Sequence, residues 1–162
     1  MSPNLQRNDY VIYTDASYRN DKSGSNAGIA FLIYNFEMKL VDAQCKHVSV
    51  SCVQEAEAKA VEFALQNLPA DAKRVKVLND NGPVVDGITG YSAIPDGAYG
   101  TVYSIRKFID RLACKIATIQ IPRESNILAD SLSNYALDWP NDTGISCIEH
   151  LNTTTSIYGR SS

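Results

Sequence analysis

Three β-rich stretches follow one another between residues 10 and 49, and only then does the apolar period lengthen to that of a helix. That order constrains the fold more than any single motif. Residues 10–17 open with Val11, Ile12 and Tyr13, and "AGIAFLIYN" at 27–35 restores the apolar run. Between them lies a Gly/Ser/Asn-containing loop, the signal of a long hairpin. Residues 38–49 read as a third strand after a turn near Asn35. From Cys52 to Leu68 the sequence "CVQEAEAKAVEFALQNL" is alanine-rich, helix-favouring and stopped by Pro69. A short strand at 74–79 ends before Asp80, with Asn81, Gly82 and Pro83 as punctuation, and a short helix is expected over 83–89. Val102, Ile105, Ile109 and Leu112 repeat at i, i+3, i+7, i+10 and mark another helix. "KIATIQI" at 115–121 is a fifth strand closed by Pro122, and 124–137 reads as a final helix. The sum is an α/β chain with a five-stranded mixed sheet, three strands antiparallel and two parallel, flanked by helices.

Composition narrows the class. At 162 residues the chain is long enough for one domain with a proper core, and 44% apolar with 20% charged residues is ordinary globular usage. The reading is an extension at 1–9, a domain at 10–138 and a polar, Thr/Ser-rich tail at 139–162, expected to pack against the domain. No apolar stretch reaches membrane-spanning length, and the polar start lacks the apolar segment of a secretory signal. Cys45, Cys52, Cys114 and Cys147 show no metal-ligand spacing and are expected to be reduced thiols in an intracellular protein. Asn141 and Asn152 match the glycosylation pattern, here taken as chance. The net charge of −3 does not advertise a nucleic-acid binder, so any such binding must come from a local surface.

Four acids are out of place. Asp15 interrupts an apolar strand. Glu57 departs from the solvated stripe of Glu55, Lys59, Glu62 and Gln66, because its helical neighbours are Val53, Ala60 and Ala64. A carboxylate on that face is costly without a cation or several donors; the bland alternative has it bending out to water. Asp80 ends its strand, where α/β proteins commonly place working residues, or is simply a turn-forming aspartate. Asp130 sits within the last helix, whose interior disfavours aspartate, yet an exposed polar position would also suffice.

The four together resemble the ribonuclease H family. "YTDAS" and "AGIAFLIY" look like its first hairpin, and "AEAKAVEFAL" has its glutamate helix. "NDNGPVVDGI" fits the strand-end aspartate, and "IPRESNILADSLSNYAL" is similar to the final segment of members that lack the histidine-containing loop. The resemblance covers residues 10–138. It implies that Asp15, Glu57, Asp80 and Asp130 are catalytic and hold two Mg²⁺ ions, with Mn²⁺ able to substitute. Asp15 and Asp80 would lie on adjacent strands, Glu57 would face them, and Asp130 would close the site. The chemistry is sensible, since magnesium prefers carboxylate oxygens and a metal pair stabilises the attacking and leaving oxygens of a phosphodiester. Four clustered carboxylates without metal would repel one another, raising some pKa values.

The implied activity is hydrolysis of the RNA strand of RNA/DNA hybrids, leaving 5′-phosphate and 3′-hydroxyl ends. The 2′-hydroxyl is the mark by which RNA is told from DNA. Candidate substrate contacts are the backbone around Ala16 and Ser17, together with Gln54 and Asn81. The family's assisting histidine is absent, Arg123 and Glu124 standing nearest its place, and Gly82-Pro83 replaces a commoner polar pair. The basic protrusion is missing too. Lys107, Arg111 and Lys115 stand at i, i+4, i+8 as a possible substitute stripe, against a solvated helix face balanced by Asp110 as the plainer reading. A transposase or junction resolvase would use similar acids, but the former brings flanking domains and the glutamate helix fits ribonuclease H better. The different-class alternative is a non-catalytic binding domain on the same fold. A freestanding, monomeric protein is expected rather than a domain excised from a reverse transcriptase.

Overall fold

The computed structural model describes residues 5–22 and 24–139. In chain order these form β1 (Asp9–Asp21), β2 (Gly24–Tyr34), β3 (Leu40–Ser49), α1 (Val53–Leu65), β4 (Arg74–Asn79), α2 (Gly82–Thr89), α3 (Tyr99–Arg111), β5 (Lys115–Gln120) and α4 (Ile127–Asp138). A 3-10 turn, Arg123–Ser125, precedes α4. The sheet runs β3-β2-β1-β4-β5. β1 to β3 are antiparallel, and β4 runs parallel to both β1 and β5. This is the mixed sheet the sequence predicts.

Side-chain alternation along β2 builds two cores. Ile29, Phe31 and Ile33 face α1 and α3, meeting Val61, Phe63, Val102 and Ile105. Ala30 and Leu32 face α4, meeting Ala129, Leu132 and Ala136. With both faces covered, residues 27–33 are all buried, which is why this strand reads as a continuous apolar run rather than an alternating one. Gly28 admits the close seat of α4. A Cβ there would lie 1.9 Å from the Ser133 carbonyl oxygen and 2.6 Å from the Leu137 nitrogen.

Several expectations need correction. The predicted loop between the first two strands is mostly sheet, since pairing continues to Asp21↔Gly24. Polar residues there read as loop, but the partner strand supplies their backbone bonds. α1 ends at Leu65 rather than Leu68, and the Asn67 backbone N–H and side-chain amide satisfy the carbonyls of Ala64 and Phe63. α4 starts at Ile127 rather than 124. Asp130 therefore stands in the first turn, where a negative charge suits the helix dipole, and not in the interior. The basic stripe does not exist as one helix face: α3 stops at Arg111, Leu112 is extended, and Lys115 opens β5. Cys45 is disulfide-bonded, against the expectation of a thiol, whereas Cys52 and Cys114 are free. Cys147, Asn141, Asn152 and all of the predicted tail beyond Trp139 lie outside the described residues.

Candidate active site

Parallel pairing of β1 with β4 stops at Tyr13↔Leu78. The next residues along the two strands are Thr14 and Asp15 on one, and Asn79 and Asp80 on the other. α1 packs across β1 and β2 and brings Glu57 to the same place. Carboxylate oxygens of Asp15, Glu57 and Asp80 all lie within 4.8 Å of one another. Asp15 is 3% exposed and Glu57 6% exposed, so the glutamate does not bend out to water. Its neighbours Ala60 and Ala64 are buried as expected, whereas Val53 is exposed. Asp80 is half-buried and Asp130 exposed. Asp130 stands near enough for its charge to act on Asp15.

The electrostatics follow from that crowding. Burial first, then the charges of Asp80 and Asp130, push the Asp15 carboxyl up to about 8 from 3.8, while a 2.8 Å hydrogen bond from the Ala16 N–H opposes them. Burial, then the charges of Asp15 and Asp80, push Glu57 well above the usual carboxylate range; the Asn79 amide acts in the opposite direction. Ion pairs join Arg19 to Asp138 and Arg74 to Asp9; among the described residues none reaches the four acids. Buried carboxylates this close, with no ion pair to a cation among the described residues, are a donor set suited to a hard divalent ion.

A family model described as reverse transcriptase-like matches residues 13–136. The chain belongs to the reverse transcriptase-like family. It carries a ribonuclease H-like domain, and solved structures agree. LC11-RNase H1, isolated from compost by a metagenomic approach, is 25% identical with a TM-score of 0.71, the match covering 81% of this chain and 96% of that one. The same protein in complex with an RNA/DNA hybrid matches at 22% identity and a TM-score of 0.68, over 80% and 96% of the two chains. RNase H1 from the halophilic archaeon Halobacterium salinarum is 20% identical with a TM-score of 0.71, over 80% of this chain and 98% of that one. No curated protein matches the chain.

In this ribonuclease H-like domain the acids rest on a buried polar network absent from the sequence-level candidates. The Thr14 hydroxyl donates to the Leu78 carbonyl at 2.8 Å, tying the strands together where pairing ends. Asn79 is fully buried; its Nδ2 donates to Thr14 Oγ1 at 3.0 Å and to Glu57 Oε1 at 3.4 Å, and its Oδ1 accepts from the Asn81 N–H at 2.8 Å. The Asn126 Nδ2 donates to the Thr14 carbonyl at 2.9 Å and to Asp80 Oδ2 at 3.4 Å. The available signal was an amide closing the mostly apolar strand "VKVLN", since a buried amide requires partners.

The predicted substrate contacts fare differently from the acids. The Ala16 N–H is taken by Asp15. The Ser17 hydroxyl donates to Asn134 Oδ1 at 2.6 Å and lies 2.8 Å from Ser133 Oγ, so it docks α4 on β1. Asn81 caps α2, its Oδ1 accepting from the Val84 N–H at 3.0 Å. Gln54 is half-buried in the first turn of α1.

Proposed function

We propose that this domain is a metal-dependent endonuclease that hydrolyses the RNA strand of RNA/DNA hybrids, leaving 5′-phosphate and 3′-hydroxyl ends. One observation carries the reading: three acids from two neighbouring strands and a helix meet within 4.8 Å, two of them buried, with no ion pair to neutralise them among the described residues. Asp15, Glu57 and Asp80 would hold two divalent cations, magnesium or manganese, and Asp130 would complete the set from the solvent side. Bound there, the ions supply polarisation of the scissile phosphate and stabilisation of the attacking and leaving oxygens.

The protein's own part is placement. The Ala16 N–H fixes the Asp15 carboxylate, and the exposure of Asp130 keeps one side of the cluster open to water and substrate. Recognition of the hybrid is assigned to the main chain at Ala16 and Ser17, to Gln54 and to Asn81, around the 2′-hydroxyls that only RNA offers. The binding of a hybrid by a fold neighbour supports that substrate class. With a net charge of −3, affinity for the duplex should be modest and steeply salt-dependent. The active form is assigned as a monomer, and among the described residues no helix is long and apolar enough to cross a membrane.

The test is cleavage of an end-labelled RNA/DNA hybrid in Mg²⁺ and in EDTA, beside Asp80→Asn, with RNA duplex, DNA duplex and single-stranded RNA in parallel. Metal-dependent cutting of the hybrid's RNA alone, reduced at least about 100-fold in the variant, is expected for a carboxylate that would hold a catalytic cation. Folded protein that cuts nothing in either Mg²⁺ or Mn²⁺ returns the domain to a binding role.

A further inference from the structure

Asn126 occupies a position no simple structural role explains. It is 1% exposed, yet its side-chain Oδ1 has no hydrogen-bond donor among the described residues. A buried carbonyl without a partner is destabilising, and it persists where something else requires the group. The other half of the amide shows what that is. Nδ2 faces two acceptors at once, the Thr14 carbonyl and Asp80 Oδ2. Turning the amide over would give Oδ1 no better partner, because it would then oppose two oxygens. The main chain of the same residue does a third thing: its carbonyl accepts the Asp130 N–H at 3.0 Å, opening the turn of α4 that carries the fourth acid.

Resting on the proposed metal site, we propose that Asn126 is a positioning residue that sets the acids of three separate elements in one register. It touches Asp80 directly, grips the residue next to Asp15 and anchors the helical turn of Asp130. Asn79 is the matching amide on the other side of Thr14, reaching Glu57 from the same threonine. Thr14 thus lies between two amides, and each acid is bonded to this network or attached to it through one backbone step. α4 owes its overall seat to the Ala129, Leu132 and Ala136 contacts, which fix where the helix lies on the sheet. Those apolar contacts are non-directional and tolerate small slides along the groove. A hydrogen bond to Thr14 does not, and it acts at the end of the helix nearest the site. Asn126 is accordingly assigned the fine placement of Asp130 and Asp80, and the core the stability of the docking.

The two roles separate experimentally. Mn²⁺ binding is measured by calorimetry without substrate, alongside kcat, KM for the hybrid and thermal unfolding, in Asn126→Ala and in Leu132→Val. The second variant loosens the α4 core away from the acids. For Asn126→Ala, Mn²⁺ affinity is expected to weaken at least threefold and kcat to fall at least tenfold, with KM for the hybrid within twofold. Leu132→Val is expected to lower the unfolding temperature while leaving Mn²⁺ affinity and kcat within twofold. Asn126→Ser, smaller in its disturbance, takes the same readouts if the alanine variant does not fold. Unchanged Mn²⁺ affinity in a folded Asn126 variant, or an equal loss in Leu132→Val, overturns the assignment. Mn²⁺ binding does not depend on cleavage, so an inactive wild type that still binds the ion sinks the nuclease reading while leaving this one open to the same comparison.

Discussion

Removing one carboxylate from the cluster should make the metal-free protein more stable at pH 8, and the pH dependence should show why. The Asp15 carboxyl is pushed from 3.8 to about 8 in the folded protein. Its folded value lies above its unfolded one, so the native state binds the proton more tightly. Stability is then fully present below the unfolded value and is lost as pH rises toward the folded one, levelling off beyond it. Across that interval the ceiling is about 6 kcal/mol. Water entry and relaxation relieve part of the burial and repulsion, so a loss of about 2–3 kcal/mol between pH 5 and pH 8 is expected. For a domain of this size that is about 5–10 °C in melting temperature. The assay is thermal unfolding by circular dichroism in EDTA at several pH values for wild type and Asp15→Asn. The asparagine keeps an acceptor for the Ala16 N–H but carries no charge. The variant should melt near the wild type at pH 5 and above it at pH 8, with the shallower slope; burial of Glu57 leaves it some slope of the same sign. Comparing the two proteins cancels histidines and remote carboxylates that titrate equally in both. Saturating Mg²⁺ should raise the wild-type melting temperature most at pH 8, where the carboxylates are ionised. A wild-type melting temperature that is flat or rising from pH 5 to 8 in EDTA, or an Asp15→Asn protein less stable at pH 8, would refute the reasoning.

Two further outcomes follow from the packing and the surface. Gly28→Ala forces a Cβ against the α4 backbone at 1.9 Å from the Ser133 oxygen, and backbone cannot swing aside. A loss of at least about 3 kcal/mol is expected by denaturant unfolding, through overpacking beneath α4. Lys107→Ala and Arg111→Ala should leave hybrid affinity and its salt slope unchanged, because the two exposed cations share no stripe with Lys115 and Lys107 lies over the Tyr103 ring. A salt slope reduced by about one per variant would instead place them on phosphates.

How much of this was legible in the chain itself depends on the range of the interactions concerned. The order of strands and helices, the mixed sheet and the three acids that meet within 4.8 Å were readable, because each leaves a local trace. Asp15 breaks an apolar run, Glu57 sits among alanines, and Asp80 ends a strand. The periods that reveal strands and helices reflect only which face is buried. Residues that serve the site through distant partners left at most a faint trace, the amide that ends β4, and nothing that named their partners. Asn126 meets Thr14 across 112 positions and Asp80 across 46, and Asn79 meets Thr14 across 65. Only the docking of α4 and the parting of β1 from β4 create those contacts. The same dependence explains the misreadings. Polar residues beyond Ser17 were read as loop until a partner strand paired them, and Lys115 was read as continuing a helical stripe that ends at Arg111. Local propensity fixes which element a stretch prefers. Where two elements meet, and which buried amide then finds an acceptor, is decided by packing of the whole domain, because a directional hydrogen bond forms only once non-directional burial has brought its ends together.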